Sequence, residues 1–155
     1  MKTQSPELRL ARLADAEQIA CMSREFIEVG LGWSWTVQRV TRAIQCPDTT
    51  VLAAKAGPTV QGFAIMRFGQ DEAHLNLLAV APNDRRRKLG RHLMQWLEES
   101  CRVAGSFVIY LEVRATNHGA RCFYQRLGYR EIACVPRYYQ GVETAIRMAR
   151  DLTVE

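Results

Sequence analysis

The sequence predicts a mixed α/β fold, one domain over residues 1–155 in the order β-α-α-β-β-β-α-β-α-β-β. Three observations carry that reading. An apolar run, Leu77-Leu78-Ala79-Val80-Ala81, passes through a Pro82-Asn83-Asp84 turn and a basic loop into a helix with Leu89, Leu93, Leu97 and Cys101 on one face. A strand from Phe107 to Val113 follows once Gly105 has ended that helix, so the strands near 77 and 110 should be parallel, joined by a right-handed crossover. Asn117 and Gly128 then bracket a short helix that holds Tyr124.

The remaining elements follow in order. Leu8, Leu10, Ala11 and Leu13 mark a short first strand. Asp15, with Gln18 three residues on, has the pattern of a capping box. The helix behind it would place Ile19, Met22, Phe26 and Val29 on one face and end at Gly30. Thr36 caps a second helix with a stripe of Val37, Val40, Thr41 and Ile44, and Pro47 stops it. Strands from Thr50 to Lys55, Val60 to Phe68 and Ala73 to Ala81 are separated by Ala56-Gly57-Pro58 and Gly69-Gln70-Asp71, which predicts antiparallel hairpins. Two last strands, Arg130 to Val135 and Val142 to Arg150, flank a loop from Pro136 to Gly141.

Composition narrows the functional classes. With 48% hydrophobic and 24% charged residues, the chain is an ordinary globular one that can bury a full core. Residues 1–6 lack the apolar run of a signal peptide, and no apolar stretch approaches the roughly 20 residues of a membrane span. These features predict a cytoplasmic protein without a membrane partner. Five scattered cysteines fit small reduced core residues better than disulfides. No Cys/His spacing fits a metal site. The net charge is +5, and five of the seven residues from Arg85 to Arg91 are cationic, a cluster that calls for a polyanion. A coenzyme, a nucleic acid and a membrane surface all satisfy that demand. A nucleic-acid module ranks last, because interleaved aromatics and a reading helix are missing.

The order of elements, with Val80-Ala81-Pro82 and Arg85-Arg86-Arg87-Lys88-Leu89-Gly90, resembles the GNAT superfamily of acetyl-CoA-dependent N-acetyltransferases. Lys88 stands where the family pattern has its first glycine. Within the superfamily, Leu111-Glu112-Val113-Arg114-Ala115-Thr116-Asn117, Phe123-Tyr124-Gln125-Arg126-Leu127-Gly128-Tyr129, Tyr138-Tyr139 and Ala145-Ile146-Arg147-Met148 are most similar to the RimI-like N-terminal alanine acetyltransferases of ribosomal proteins. The resemblance implies a GNAT fold with splayed central parallel strands and acetyl-CoA as co-substrate, with no metal. It implies an amine acceptor, most simply a protein N-terminus, with a small amine (polyamine, amino acid or antibiotic) as the alternative. The oligomeric state, monomer or homodimer, stays open.

The resemblance also distributes roles. Arg85, Arg86, Arg87, Lys88, Leu89, Gly90 and Arg91 would hold the pyrophosphate, through helix-terminal N–H groups and cationic side chains. Leu78, Ala79 and Val80, with Asn117 and Ala120, would follow the pantetheine arm. Glu112 would be the general base, because an α-amino group with a pKa near 7.7–8.0 is mostly protonated at pH 7. Sharing a strand face with Val108 and Tyr110, Glu112 should sit in apolar surroundings that raise its pKa. Tyr124 would be the general acid toward the leaving thiolate. Trp33, Trp35, Tyr138 and Tyr139 either wall the acceptor groove or plug the core. The three histidines receive no role.

Overall fold

The computed structural model describes residues 6–82 and 88–154. Arg85, Arg86 and Arg87 lie outside the described residues. The strands are β1 Glu7–Leu10, β2 Thr49–Ala56, β3 Thr59–Phe68, β4 Glu72–Val80, β5 Val108–Arg114, β6 Arg130–Tyr139 and β7 Glu143–Asp151. The α-helices are α1 Ala16–Met22, α2 Val37–Gln45, α3 Leu89–Ala104 and α4 His118–Arg126. The described strands form one sheet in the order β1-β2-β3-β4-β5-β7-β6, antiparallel except where β4 meets β5.

Helices cover both faces because the strands bury both. Leu93, Met94, Leu97 and Cys101 of α3 pack with Leu52, Met66, Ile109, Leu111 and Met148 on one side. Ile19, Ala20 and Val40 pack with Val51, Phe63 and Ile65 on the other. Glu98 is buried on the inner side of α3. It accepts from the Tyr129 hydroxyl at 3.0 Å and from Arg150 Nη1 at 2.8 Å, tying α3 to β7. No helix among the described residues is long and apolar enough to cross a membrane.

One irregularity positions the functional site. In the β3–β4 ladder Ile65 faces Leu77 and Met66 faces Leu75, so Asn76 is an extra, bulged residue. The bulge reverses which parity of β4 faces which helices. Ala73 and Leu75 join the α3 side, whereas Leu77 and Ala79 join the α1–α2 side. It also bends β4 away from β5, whose pairing runs only from Glu72↔Val108 to Leu75↔Leu111. Beyond that point the two parallel strands part.

Several expectations need correction. Asp15 and Gln18 form no capping box with each other. The Asp15 carboxylate accepts from Arg12 N at 2.8 Å and from Lys55 Nζ at 2.6 Å, while Gln18 donates to Pro58 O in the β2–β3 turn and accepts from Val60 N at the start of β3. The first helix does not run regularly to Gly30. A π-helical turn, Ser23–Ile27, follows α1, with Glu28 N donating to Ser23 O at 2.8 Å. Val29 is therefore thrown outward, 57% exposed. The strand β6 continues past Val135 through Pro136 to Tyr139. It is an edge strand, where a missing N–H is tolerated. Thr36 does cap α2, accepting from Arg39 N.

Candidate active site

A cavity of about 570 Å³ opens where β4 and β5 part. Its wall includes Phe26, Glu28 and Trp35 from the first half of the chain, and Leu78, Asn117, Ala120, Tyr124, Tyr138 and Tyr139 from the second. Glu112 lies at this opening, with its side chain only 5% exposed. Strand alternation explains the placement. Ile109, Leu111 and Val113 are buried in the α3-side core, so Glu112 projects from the opposite face.

Three donors converge on the Glu112 carboxylate. His74 Nε2 lies 2.6 Å from Oε1, the Tyr138 hydroxyl donates to Oε1 at 2.9 Å, and Arg147 Nε donates to Oε2 at 3.0 Å. Arg147 is the cross-strand partner of Glu112 on β7. Behind His74, its Nδ1 meets Asn76 Oδ1 at 2.6 Å. With an oxygen acceptor at each ring nitrogen, the doubly protonated imidazolium fits this setting. Hydrogen bonding to Glu112 accordingly raises the His74 pKa, against the opposing effect of burial.

These contacts overturn the expectation of a raised pKa at Glu112. Burial does push it upward, but the hydrogen bonds from His74, Arg147 and Tyr138 outweigh that and bring it down to about 2. Glu112 is thus a carboxylate held by the Arg147 guanidinium and by a histidine whose protonated form it favours. The Tyr138 hydroxyl is pushed up to about 12 by burial and by its bond to Glu112.

The sequence assigns no role at the site to His74, Asn76 or Arg147, although Arg147 falls within one of the motifs that carry the resemblance. One signal pointed to His74. With Ala73 and Leu75 facing the same core as Ile109 and Leu111, parallel pairing must put His74 and Glu112 together on the other face.

The remaining expected residues separate into groups. Tyr124 is buried, makes edge contacts with Phe123 and Tyr129 at 5.0 and 5.7 Å between ring centroids, and also lines the cavity. Burial raises its pKa above the ordinary tyrosine value, so it keeps its proton at neutral pH. Asn117 accepts from Ala120 N at 3.1 Å, capping α4 as expected. Trp35, Tyr138 and Tyr139 border the cavity. Trp33 instead donates from Nε1 to Ala20 O at 3.2 Å and lies under the Arg24 guanidinium. The Ala79 side chain packs with the α1–α2 core, away from Leu78 and Val80, which lean on the α3 side.

At the start of α3, Leu89 is core, Arg91 is exposed, and Gly90 lies so close to Phe123 that a Cβ would sit 3.2 Å from the ring. Lys88 is the N-cap residue, in the left-handed conformation at φ 56° and ψ 25°. A glycine there would meet no steric penalty. The first amides of a helix have no intrahelical partner and favour anions, so this end of α3 is chemically suited to a pyrophosphate.

The family model described as acetyltransferase (GNAT) family matches residues 15–129. The [ribosomal protein bS18]-alanine N-acetyltransferase of Salmonella typhimurium is 38% identical over 106 residues, 66% of this chain and 72% of the relative. The N-alpha-acetyltransferase RimI of Mycobacterium tuberculosis is 31% identical over 123 residues, 76% of this chain and 75% of the relative. Among solved structures, the ribosomal-protein-S18-alanine N-acetyltransferase from Escherichia coli superposes with a TM-score of 0.82 at 26% identity, covering 95% of this chain and 94% of that one. Other chains of this fold were solved with coenzyme A bound.

Proposed function

This chain belongs to the acetyltransferase (GNAT) family, and from that premise we propose that its acceptor is the α-amino group of a protein N-terminus, with Glu112 as the base. The enzyme is an acetyl-CoA-dependent N-acetyltransferase. The observation that carries the acceptor-side reading is the nearly buried Glu112 carboxylate at the parting of β4 and β5, in one cavity with the Tyr124 ring.

An α-ammonium must lose a proton before it can attack a thioester. A carboxylate at about 2 is a weak acceptor for that proton. An ammonium reaching Glu112 meets a carboxylate that already has three donors, and its own positive charge favours the ionised form as they do. Glu112 therefore takes the proton only transiently, as the amine moves onto the acetyl carbonyl. The free amine then attacks the acetyl carbonyl, the nitrogen of the adduct gives up its second proton to solvent, and the carbon–sulfur bond breaks to release a CoA thiolate. Tyr124, still protonated, offers its hydroxyl to that sulfur. Tyr138 and Tyr139 supply flat apolar walls with polar tips for the first residues of a peptide.

Acetyl transfer measured on three acceptors decides the reading. One is a peptide with a free N-terminus, the second the same peptide blocked at its N-terminus but carrying an internal lysine, and the third a set of polyamines and amino acids. The free N-terminus should be the preferred acceptor. Transfer confined to small amines would overturn the assignment.

A further inference from the structure

We infer that the acceptor carries a carboxylate close to its amine, and that Arg39 and Arg67 recognise it as an acidic side chain at the second or third residue of the acceptor N-terminus. The inference rests on the proposed N-terminal acceptor and names its class.

Charge balance around the cavity is the starting point. Each acid at its wall is already engaged. Glu112 is held by His74, Arg147 and Tyr138. Glu28, only 6% exposed, accepts from the Ser23 and Ser34 hydroxyls at 2.9 and 2.6 Å and from Ser34 N at 2.7 Å. Of the arginines at the wall, Arg114 is paired with Glu143 at 3.0 Å. Arg39 and Arg67 also border the cavity, and neither forms an ion pair among the described residues.

The two are presented differently. The Arg39 guanidinium lies 3.8 Å from the centroid of the Trp35 ring. Stacking occupies the face of the cation and leaves its in-plane N–H fork free, the geometry that binds carboxylate bidentately. Arg67 stands at the end of β3, directly across the ladder from His74. A ligand that spans from Glu112 toward β3 therefore meets an arginine just past the histidine. An acceptor whose ammonium binds Glu112 and whose carboxylate lies one or two residues along matches this order of charges. A basic second residue would be repelled by the same pair.

The test uses the full-length enzyme and peptides of one sequence with Glu, Gln or Lys at position 2, and separately at position 3. A set of amino acids and dipeptides, whose only carboxylate is the terminal one, runs alongside. The Glu peptide should exceed the Gln peptide in kcat/KM by about ten- to a hundredfold, the worth of a charge-assisted hydrogen bond. The Lys peptide should be poorest. The Glu advantage should shrink as salt is raised. In Arg67→Gln and Arg39→Gln the Glu-to-Gln ratio should fall toward one. Arg39→Lys should retain part of the advantage, since it keeps charge without the fork. An acetyl-CoA thermal shift in each variant checks that the fold is intact, and the wild-type peptide arm decides the matter without any variant. Equal rates for Glu and Gln peptides, or a preference for Lys, would overturn the inference while leaving the N-terminal reading standing. Transfer to amino acids and dipeptides with none to longer peptides would instead overturn the N-terminal reading.

Discussion

At Glu112, donors from three strands meet one carboxylate, and that convergence governs what its replacement does. Glu112→Gln preserves shape and removes the proton acceptor. The maximal rate should fall by about 10²–10⁴-fold, the usual contribution of a general base. It should recover at high pH, where the amine is already free, while the acetyl-CoA dissociation constant stays near the parent value. Steady-state rates from pH 6 to 9 check this, and a loss of only a few-fold across that range would place the base elsewhere. The same contacts leave a mark on stability. Glu112 has its pKa lowered from 4.5 to about 2, so its contribution is full above pH 4.5 and is lost as pH falls toward 2. His74 has its pKa raised from 6.5, so its contribution is full below pH 6.5 and is lost as pH rises through the higher folded value. The pair therefore stabilises most between these limits. In His74→Gln the decline on the alkaline side should vanish from urea midpoints measured against pH.

Element by element, local patterning was sufficient for most of the fold. The Leu89, Leu93, Leu97 stripe and the Asn117 cap lie where periodicity and capping chemistry place them, because both depend on neighbours within a turn. The bulge at Asn76 was not legible, since it exists only relative to the register of β3. The pKa of Glu112 was misread for a related reason. Its strand neighbours are apolar, but His74 and Arg147 arrive from β4 and β7. The start of α3 combines both cases. Lys88 was visible as a lysine in a glycine's place, and its left-handed backbone shows that the geometry glycine would favour is kept. That conformation costs a side-chain-bearing residue roughly 1–2 kcal/mol. Glycine would relieve it but gain freedom in the unfolded chain, an offset of about 0.4–1 kcal/mol. Lys88→Gly should therefore leave the urea midpoint near or slightly above the parent, and should not weaken acetyl-CoA binding. Lys88→Val, branched at a positive φ, should destabilise by about 1–2 kcal/mol.

Across the whole molecule, the cavity is assembled from segments distant in sequence, and one clasp joins two of them. Gln140, in the β6–β7 turn, accepts from Gly32 N at 2.7 Å through Oε1 and donates to Gly32 O at 2.6 Å through Nε2. The side-chain amide thus pairs with a backbone amide 108 residues away, as a neighbouring strand would. The clasp is specific at both ends. Gln140 holds a φ of 52°, and a Cβ on Gly32 would sit 3.2 Å from Gln140 Oε1. Leu31 and Gln140 both border the cavity, so the clasp sets the spacing between the loop before α2 and the hairpin bearing Tyr138 and Tyr139. It lies on the surface, where a hydrogen bond contributes little net stability, about 0.5–1.5 kcal/mol. Its effect should therefore appear in acceptor binding more than in folding. Gln140→Ala should raise the KM for a peptide acceptor several-fold and leave the acetyl-CoA dissociation constant unchanged, because the residues proposed to hold the coenzyme lie in or beside β4, α3 and α4. Gln140→Glu retains an acceptor for Gly32 N but offers no donor to Gly32 O, so it should recover only part of the loss. Peptide KM and coenzyme affinity measured on the same preparations separate the two sides. A matching loss of coenzyme affinity in Gln140→Ala would mean that the hairpin supports the whole cavity and not the acceptor half alone.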